Sequence, residues 1–468
     1  MMINDVTTRD GGAGQRQVLL PSIGRWFAPV LALLLLAALP VQAKPTKAGH
    51  KMKIQEVTSP GGIKAWLVEE HSVPLLAMRF AFRGGNTQDP PKLPGVANFM
   101  SVMMDEGAGD LSAEAFQERT EEIAMRMSFG DGRDAFFGNF ETLTVNRDAA
   151  SDLLKLALTK PRFDKSALER MRKQLQSSLA FAAKNPNRVA QKTFNELAYQ
   201  GHPYSRPSGG TMESLEKITA ADLEAYRARI FARDNLRVSV VGDIDAATLG
   251  TLLDKVFGDL PATAKLATVP ETEIANAGRT EVITMPVPQS VVILGLAGLR
   301  RSDPDFIPAY VMNHILGGGG FSSRLMNEVR EKRGLAYSVY SFLSAGDHAG
   351  ALVAQVATKN EKVAESIDVI RAEMKRLVDD GVKEEDLDNA KSYLTGSYPL
   401  RFDTNSKIAS QLLGIQQEDL GIDYVNRRND LINAVTVADI KRLAARLLKV
   451  ERMVVTVVGQ PENVKSGG

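Results

Sequence analysis

The chain has 468 residues, of which 44% are hydrophobic and 24% charged, and its formal net charge is +1. This composition is typical of a folded globular protein, and the length exceeds what one hydrophobic core usually holds, so two domains are expected. A near-zero net charge without a long basic run argues against nucleic acid or an anionic membrane surface as the main partner. The absence of cysteine excludes disulfides and thiolate chemistry.

The first 43 residues are typical of an export signal peptide. Arg25 precedes an uncharged run from Trp26 to Ala43, and the run ends in VQA, which is similar to a cleavage site. We expect the mature protein to begin near Lys44 and to be periplasmic, or secreted. A retained membrane anchor is the alternative, although the apolar part is shorter than the ~20 residues that span a bilayer.

Hydrophobic periodicity predicts the same mixture of strands and helices in both halves of the chain. In the first half, strands are predicted at 65–69, 77–82, 136–145 and 236–241, and helices at 95–105, 112–127, 150–158, 165–183 and 189–198. In the second half, strands are predicted at 281–284, 290–298, 335–343, 351–356 and 452–458. The order predicts an α+β fold in which helices pack against a mainly antiparallel sheet.

An internal repeat indicates a duplicated domain. Residues 218–242 and 435–459 align without a gap, and each copy is predicted to be a helix capped by Thr219 or Thr436 and followed by a β-branched strand. Chance similarity between two helix–strand units is the alternative. With a boundary between 260 and 279, we expect homologous domains at 44–265 and 275–468.

The helix predicted near residue 95 carries the first functional signal. Val96, Phe99 and Met103 form one apolar face. The stretch 95–104 resembles the zinc-binding helix of the pitrilysin/insulinase metallopeptidases, or inverzincins, and is closest to the bacterial relatives of mitochondrial processing peptidase. The resemblance extends over about 52–460 and implies the two-domain fold of that family.

The family motif H-x-x-E-H is degenerate in this chain. Asn98, Ser101 and Val102 stand at its three positions, and Ser178 stands where the family carries a third metal ligand, a glutamate. None of these side chains supplies the imidazole or carboxylate that zinc and its activated water need. The resemblance therefore implies that this chain binds no zinc and no other cofactor.

Two other metal sites were weighed. The five histidines contain no pair at metal-ligand spacing, and His202 is expected in a turn. A carboxylate-only site at Asp105 and Glu106 remains an alternative, although adjacent acids usually form a solvated helix end.

The second half holds the most specific run in the chain. Ser322 is predicted to cap a helix that Gly334 ends, and a strand follows. Because the chain reverses at Gly334, Arg330 and Tyr337 are expected side by side. The residues that precede this helix form a glycine-rich loop without the lysine of a phosphate-binding loop: Gly317, Gly318, Gly319, Gly320 and Phe321.

Arg330 and Tyr337 are similar to the Arg/Tyr pair that lies opposite the zinc in this family. The resemblance implies that they hold a peptide carbonyl and stabilise its oxyanion, and that the glycine-rich loop contacts substrate. On their own, the same residues are also compatible with a surface ion pair at Arg330 and a half-buried strand aromatic at Tyr337.

The resemblance implies a non-zinc subunit of an exported heteromeric metallopeptidase. A homologous partner with H-x-x-E-H would hold the Zn²⁺, and a peptide or unfolded protein would be the substrate; no nucleic acid is expected, and no membrane apart from the signal peptide. The first alternative is a catalytically inactive peptide-binding or assembly protein of the same fold. The second is a chain that hydrolyses peptides alone through an unrelated metal site.

Overall fold

A computed structural model describes residues 52–467. The predicted signal peptide and the expected mature start at Lys44 lie outside the described residues. Within the described part, no helix combines the length and the apolar character needed to cross a membrane.

The first half contains six strands and eight α-helices within the described residues. The strands are β1 (Gln55–Thr58), β2 (Lys64–Glu69), β3 (Leu75–Arg83), β4 (Arg126–Asp131), β5 (Ala135–Leu143) and β6 (Leu236–Gly242). The helices are α1 (Val96–Met103), α2 (Ala113–Glu122), α3 (Arg147–Thr159), α4 (Lys165–Ala182), α5 (Pro186–Ala198), α6 (Met212–Lys217), α7 (Ala220–Ile230) and α8 (Ala246–Phe257).

In its described residues, the second half contains five strands and six α-helices. The strands are β7 (Thr280–Thr284), β8 (Gln289–Ala297), β9 (Ala336–Ala345), β10 (Gly350–Lys359) and β11 (Val454–Gly459). The helices are α9 (Phe306–Asn313), α10 (Val363–Asp380), α11 (Glu384–Gly396), α12 (Asn405–Gln417), α13 (Tyr424–Asn433) and α14 (Val437–Leu447), and two π-helical turns occupy His314–Gly318 and Met326–Glu331.

The two sheets share one topology. Their strand orders are β1-β2-β6-β3-β5-β4 and β7-β11-β8-β10-β9, so the second matches the first from β2 onward. Only β2/β6 and β7/β11 pair in parallel among the described strands, and the remaining pairs are antiparallel. The predicted α+β fold with mainly antiparallel sheets is confirmed.

The repeated helix–strand unit has the same local structure in both halves. Thr219 and Thr436 each cap their helix through a capping box with an aspartate three residues later, Asp222 and Asp439. The predicted caps are therefore correct. The segment between Phe257 and Thr280 contains no helix or strand, and the domain limits 44–265 and 275–468 remain a prediction.

Each half places one helix on the sheet of the other. Helix α5 packs on β8 and β11, whereas α12 packs on β3 and β6. The contact at α5 is close: a Cβ on Gly295 would lie 2.3 Å from the ring of Phe194. This exchange makes the two halves one packed body, which the sequence did not predict.

Two strands were missed by the sequence analysis, and one helix was predicted too long. Strands β1 and β4 were not predicted, and the helix predicted over 112–127 ends at Glu122. Ala124 takes a positive φ of 49°, after which Arg126–Asp131 pairs with β5. The end of the helix is therefore set by the hydrogen bonds between β4 and β5, which a local sequence pattern cannot show.

Candidate functional site

Helix α1 is anchored at its N-terminus by a buried aspartate. Asp89 accepts hydrogen bonds from the backbone N–H groups of Gly95 at 2.7 Å and Ala97 at 2.8 Å. Burial raises the pKa of Asp89 to about 7, against the opposing effect of those hydrogen bonds. Below the helix, Phe99 and Met103 are fully buried. The apolar face predicted from the sequence therefore packs into the core.

The polar groups at the degenerate positions bond to the protein itself. Asn98 Nδ2 donates to Asp131 Oδ1 at 2.9 Å, and Ser101 Oγ donates to the carbonyl of Asn98 at 2.8 Å. Val102 packs partly buried against the core. Ser178 Oγ donates to a carbonyl of its own helix, α4, at 3.0 Å. These hydrogen bonds engage the amide nitrogen of Asn98 and the hydroxyls of Ser101 and Ser178.

Asp131 is the residue of this region that the sequence analysis missed. Its two carboxylate oxygens accept from Asn98 and, at 3.4 Å, from Asn86. Burial raises the pKa of the Asp131 carboxyl, and both amides oppose that shift. Asp131 and Asn98 are 33 positions apart in the chain, which explains why no local pattern revealed the pair.

The other candidate ligands also have internal roles. His202 is buried in a turn, where its Nδ1 accepts from the N–H of Tyr204 at 3.1 Å and its Nε2 donates to the carbonyl of Pro270 at 2.9 Å. Burial lowers its pKa. Glu106 forms an ion pair with Arg170. Among residues 52–467, no three His, Asp or Glu side chains are arranged to hold a metal ion.

The glycine-rich loop leaves helix α9 through a π-helical turn. A Cβ on Gly317 would lie 2.5 Å from Oγ of Ser341 on β9, so only glycine fits there. Gly320 takes a φ of +60°, a conformation that favours glycine. The loop thus depends on its glycines both for close packing and for its turn.

Ser322 does not cap the following helix, contrary to the sequence prediction. Its Oγ donates to the carbonyl of Gly319 at 2.9 Å, inside the loop. The helical residues begin at Arg324, so Ser323 rather than Ser322 precedes them, and the carbonyl of Ser323 accepts from the N–H of Asn327 at 3.1 Å. The predicted helix end is correct: the N–H of Gly334 bonds to the carbonyl of Arg330 at 2.8 Å, and the φ of Gly334 is +60°.

Arg330 lies against two aromatic rings. The carbon of its guanidinium is 5.0 Å from the ring centre of Tyr337 and 4.8 Å from that of Phe321. Contacts of this kind contribute ~0.5–1 kcal/mol each at exposed sites. Tyr337 is 81% exposed and Phe321 73% exposed, so Tyr337 is not the half-buried strand aromatic of the alternative. The structure brings together the pair that the sequence placed side by side, with Phe321 as a third member.

A buried glutamate fixes the turn that carries Arg330. Glu328 is 4% exposed. Its oxygens accept from Lys332 at 2.6 Å, Arg333 at 2.7 Å and Arg376 of α10 at 3.4 Å. Burial opposes ionisation, but these cations outweigh it and lower the pKa of Glu328 to about 2. The spacing of Glu328 and Lys332 is visible in the sequence as an i, i+4 pair, whereas Arg376 is 48 residues away.

The fold is that of a two-domain metallopeptidase, and Asn98 and Ser101 lie on helix α1, the helix predicted to correspond to the metal-binding helix of such enzymes. The chain belongs to the insulinase family, peptidase family M16. Residues 67–212 match the model described as insulinase (peptidase family M16), and residues 217–394 match the one described as peptidase M16 inactive domain.

Two curated relatives and one solved structure agree with the family assignment. The chain is 28% identical over 345 residues to a "non-peptidase homolog YmxG" of Helicobacter pylori, a match covering 74% of this chain and 79% of that protein. It is 24% identical to an "uncharacterized zinc protease YmxG" of Bacillus subtilis, over 88% of this chain and all of that protein. The crystal structure of a peptidase M16 inactive domain from Pseudomonas fluorescens superposes with a TM-score of 0.82 and 28% identity, over 88% of this chain and all of that one.

Proposed function

We propose that this protein is the non-zinc-binding subunit of an exported heteromeric metallopeptidase. A homologous partner that carries H-x-x-E-H would hold the zinc and activate the attacking water. This chain would bind the peptide and present Arg330 and Tyr337 to the scissile carbonyl. The observation that carries the proposal is the contact of Arg330 with the ring of an exposed Tyr337, in a chain whose own motif carries no metal ligand.

The chemistry assigned to this chain is electrostatic. A zinc ion in the partner would supply the activated water, and the charge that this chain would have to stabilise is the negative charge that hydrolysis develops on the peptide carbonyl oxygen. The guanidinium of Arg330 and the hydroxyl of Tyr337 are donors suited to that charge, and the contact of the guanidinium with the ring keeps the two side chains next to each other. Strands β4 and β9 lie at the ends of the two sheets, where an extended peptide finds unpaired backbone groups.

The test is a peptidase assay of the mixed complex. The partner to try first is a homologue carrying H-x-x-E-H, and each chain alone is the reference. We expect activity only in the mixture, and we expect Arg330→Ala or Tyr337→Phe to lower kcat about 10²-fold or more without loss of folding. Tyr340→Phe is the matched control, because it removes a tyrosine hydroxyl from the same strand, β9, at a residue outside the proposed site. Undiminished turnover in both site variants would refute the assigned roles.

A second candidate is an inactive peptide-binding or assembly protein. It is favoured by the hydrogen bonds that occupy Asn98 and Ser101 and by a relative named a non-peptidase homologue. For this candidate, the mixture with a zinc-carrying homologue would show no more peptidase activity than that homologue alone.

A further inference from the structure

Asp89 ties the start of helix α1 back to the chain that precedes it. Its carboxylate oxygens accept from the N–H groups of Gly95 and Ala97, and the side chain thereby closes the loop 90–94. The first N–H groups of a helix have no acceptor within the helix, and Gly95, the residue at the cap position, has no side chain to accept from them. The bonds to Asp89 therefore take the place of a local cap.

The charge of that carboxylate is poorly compensated. Asp89 is 4% exposed, and both of its donors are uncharged backbone groups. The cation Arg206 faces Asp89, but its Nη1 donates to the backbone carbonyl of Asp89 at 2.9 Å. A buried ion without a paired opposite charge costs free energy, and a carboxyl avoids that cost when it takes up a proton.

A second carboxylate, that of the half-buried Asp131, faces the first. Its donors are the uncharged amides of Asn86 and Asn98. Burial raises the pKa of Asp89 to about 7; the two backbone hydrogen bonds oppose that rise, the charge of Asp131 adds to it, and Arg206 opposes it. Two carboxylates that repel each other favour a state in which one of them is neutral.

Helix α7 contributes two more groups that face the pair of carboxylates. Tyr226 is fully buried, and its hydroxyl donates to the carbonyl of Gly85 at 3.0 Å. Burial, and then the charges of both carboxylates, raise the pKa of Tyr226 far above its ordinary value, so the phenol stays neutral. Arg229 Nη2 donates to the carbonyl of Gln88 at 2.9 Å. Asp89 is therefore the group of this region whose charge changes near neutral pH.

The loop that Asp89 closes lies at the surface. Pro91 and Lys92 are exposed. At the end of the loop, the carbonyl of Pro94 accepts from Ser214 Oγ of α6 at 2.7 Å. Opening of the loop needs the loss of this bond and of the two bonds to Asp89, whereas the apolar face of α1 can stay packed in the core.

We propose that Asp89 is a proton-operated latch on the start of α1: its neutral carboxyl keeps the loop 90–94 closed, and loss of the proton populates an open form in which the carboxylate reaches water. The neutral carboxyl keeps acceptor capacity for the N–H groups of α1. The latch belongs to this chain alone and does not depend on the peptidase role.

Acid closes the latch, because the pKa of Asp89 is about 7 in the closed form and returns towards its ordinary value of 3.8 in water. The stabilisation of the closed form by the proton is complete below the pKa in water. It is lost as the pH rises through the pKa of the closed form, and between the two values each pH unit shifts the opening equilibrium by about 10-fold.

Hydrogen–deuterium exchange measured by mass spectrometry on the full chain tests the latch. The exchange of a peptide covering 86–100 is measured at pH 5, 6, 7 and 8 and divided by the intrinsic exchange rate at each pH. We expect its protection to fall about 10-fold or more between pH 5 and 7, and less than about 3-fold between pH 7 and 8. A peptide covering 434–442 is the internal control, because hydrogen bonds from Thr436 lower the pKa of Asp439 there, and its protection should stay constant.

Variants assign the pH dependence to one carboxyl. Asp89→Asn has no proton to lose and should make the protection of 86–100 independent of pH. Asp131→Asn removes the repelling charge and should make the fall smaller than in the wild type. Asp388→Asn is the matched control: it removes an exposed carboxylate from α11 and should keep the wild-type profile. Circular dichroism of each variant checks that it is folded.

Constant protection of 86–100 in the wild type, or protection that rises with pH, would overturn the latch. A fall of wild-type size in Asp89→Asn would overturn it as well. The wild-type profile is decisive by itself, so the test does not depend on whether Asp89→Asn folds.

Discussion

Replacement of Glu328 by glutamine tests how the turn carrying Arg330 is held. Glu328 is nearly fully buried, and its pKa is lowered from 4.5 to about 2. A shift of that size corresponds to about 3 kcal/mol of folding free energy at neutral pH. Its partners Lys332, Arg333 and Arg376 are 56%, 41% and 45% exposed, so solvent screens part of the interaction. We expect Glu328→Gln to lower the free energy of unfolding by about 2 kcal/mol at pH 7.

The sign of the pH dependence follows from the lowered pKa. The carboxylate contributes its stability fully above the unfolded value of 4.5, and this contribution is lost as the pH falls towards the folded value of about 2. In urea unfolding followed by circular dichroism, the difference between wild type and Glu328→Gln at pH 3 should be less than about half that at pH 7. Glu331→Gln, which removes an exposed carboxylate from the same turn, should change stability by less than ~0.5 kcal/mol. Equal midpoints at pH 7, or a difference that does not depend on pH, would refute the electrostatic explanation.

Two further predictions concern the fold. Thr436→Ala should lower the free energy of unfolding by ~1 kcal/mol, because the Thr436 hydroxyl accepts from the N–H of Asp439 at 3.1 Å. Thr436→Ser keeps the hydroxyl and should retain the wild-type stability. An unchanged thermal midpoint in the alanine variant would contradict the capping role. Gly295→Val should cost ~1–3 kcal/mol, because its Cβ would meet the ring of Phe194. The check is urea unfolding of the double variant Gly295→Val, Phe194→Ala. Its loss of unfolding free energy should be smaller than the sum of the losses of the two single variants, and an equal loss would show that the clash is absent.

The sequence predicted what depends on nearby residues. Thr219 and Thr436 were identified as caps because the capping box joins residues three apart. Arg330 and Tyr337 were placed together because only Gly334 and its neighbours separate them, and a glycine at that point reverses the chain. The repeated helix–strand unit could be predicted from the sequence because each copy is one continuous stretch of the chain.

Contacts between distant segments were not predictable in this way. The pairing of Asn98 with Asp131 and that of Glu328 with Arg376 join residues 33 and 48 positions apart. Strand β4 was not predicted, because it is a strand through its hydrogen bonds to β5 and not through its own hydrophobic pattern.

By itself, the sequence determined that this protein is an α+β chain of the insulinase family, and it predicts a duplicated domain and a metal-binding motif without ligands. These properties are recorded in the order and spacing of neighbouring side chains. Only the tertiary structure decided how helices α5 and α12 exchange between the sheets, which cations lower the pKa of Glu328, and that Phe321 joins Arg330 and Tyr337. The burial of a side chain and its ion pairs depend on which distant segments the folded chain brings into contact. A sequence pattern contains no information on the distances between residues that are far apart in the chain.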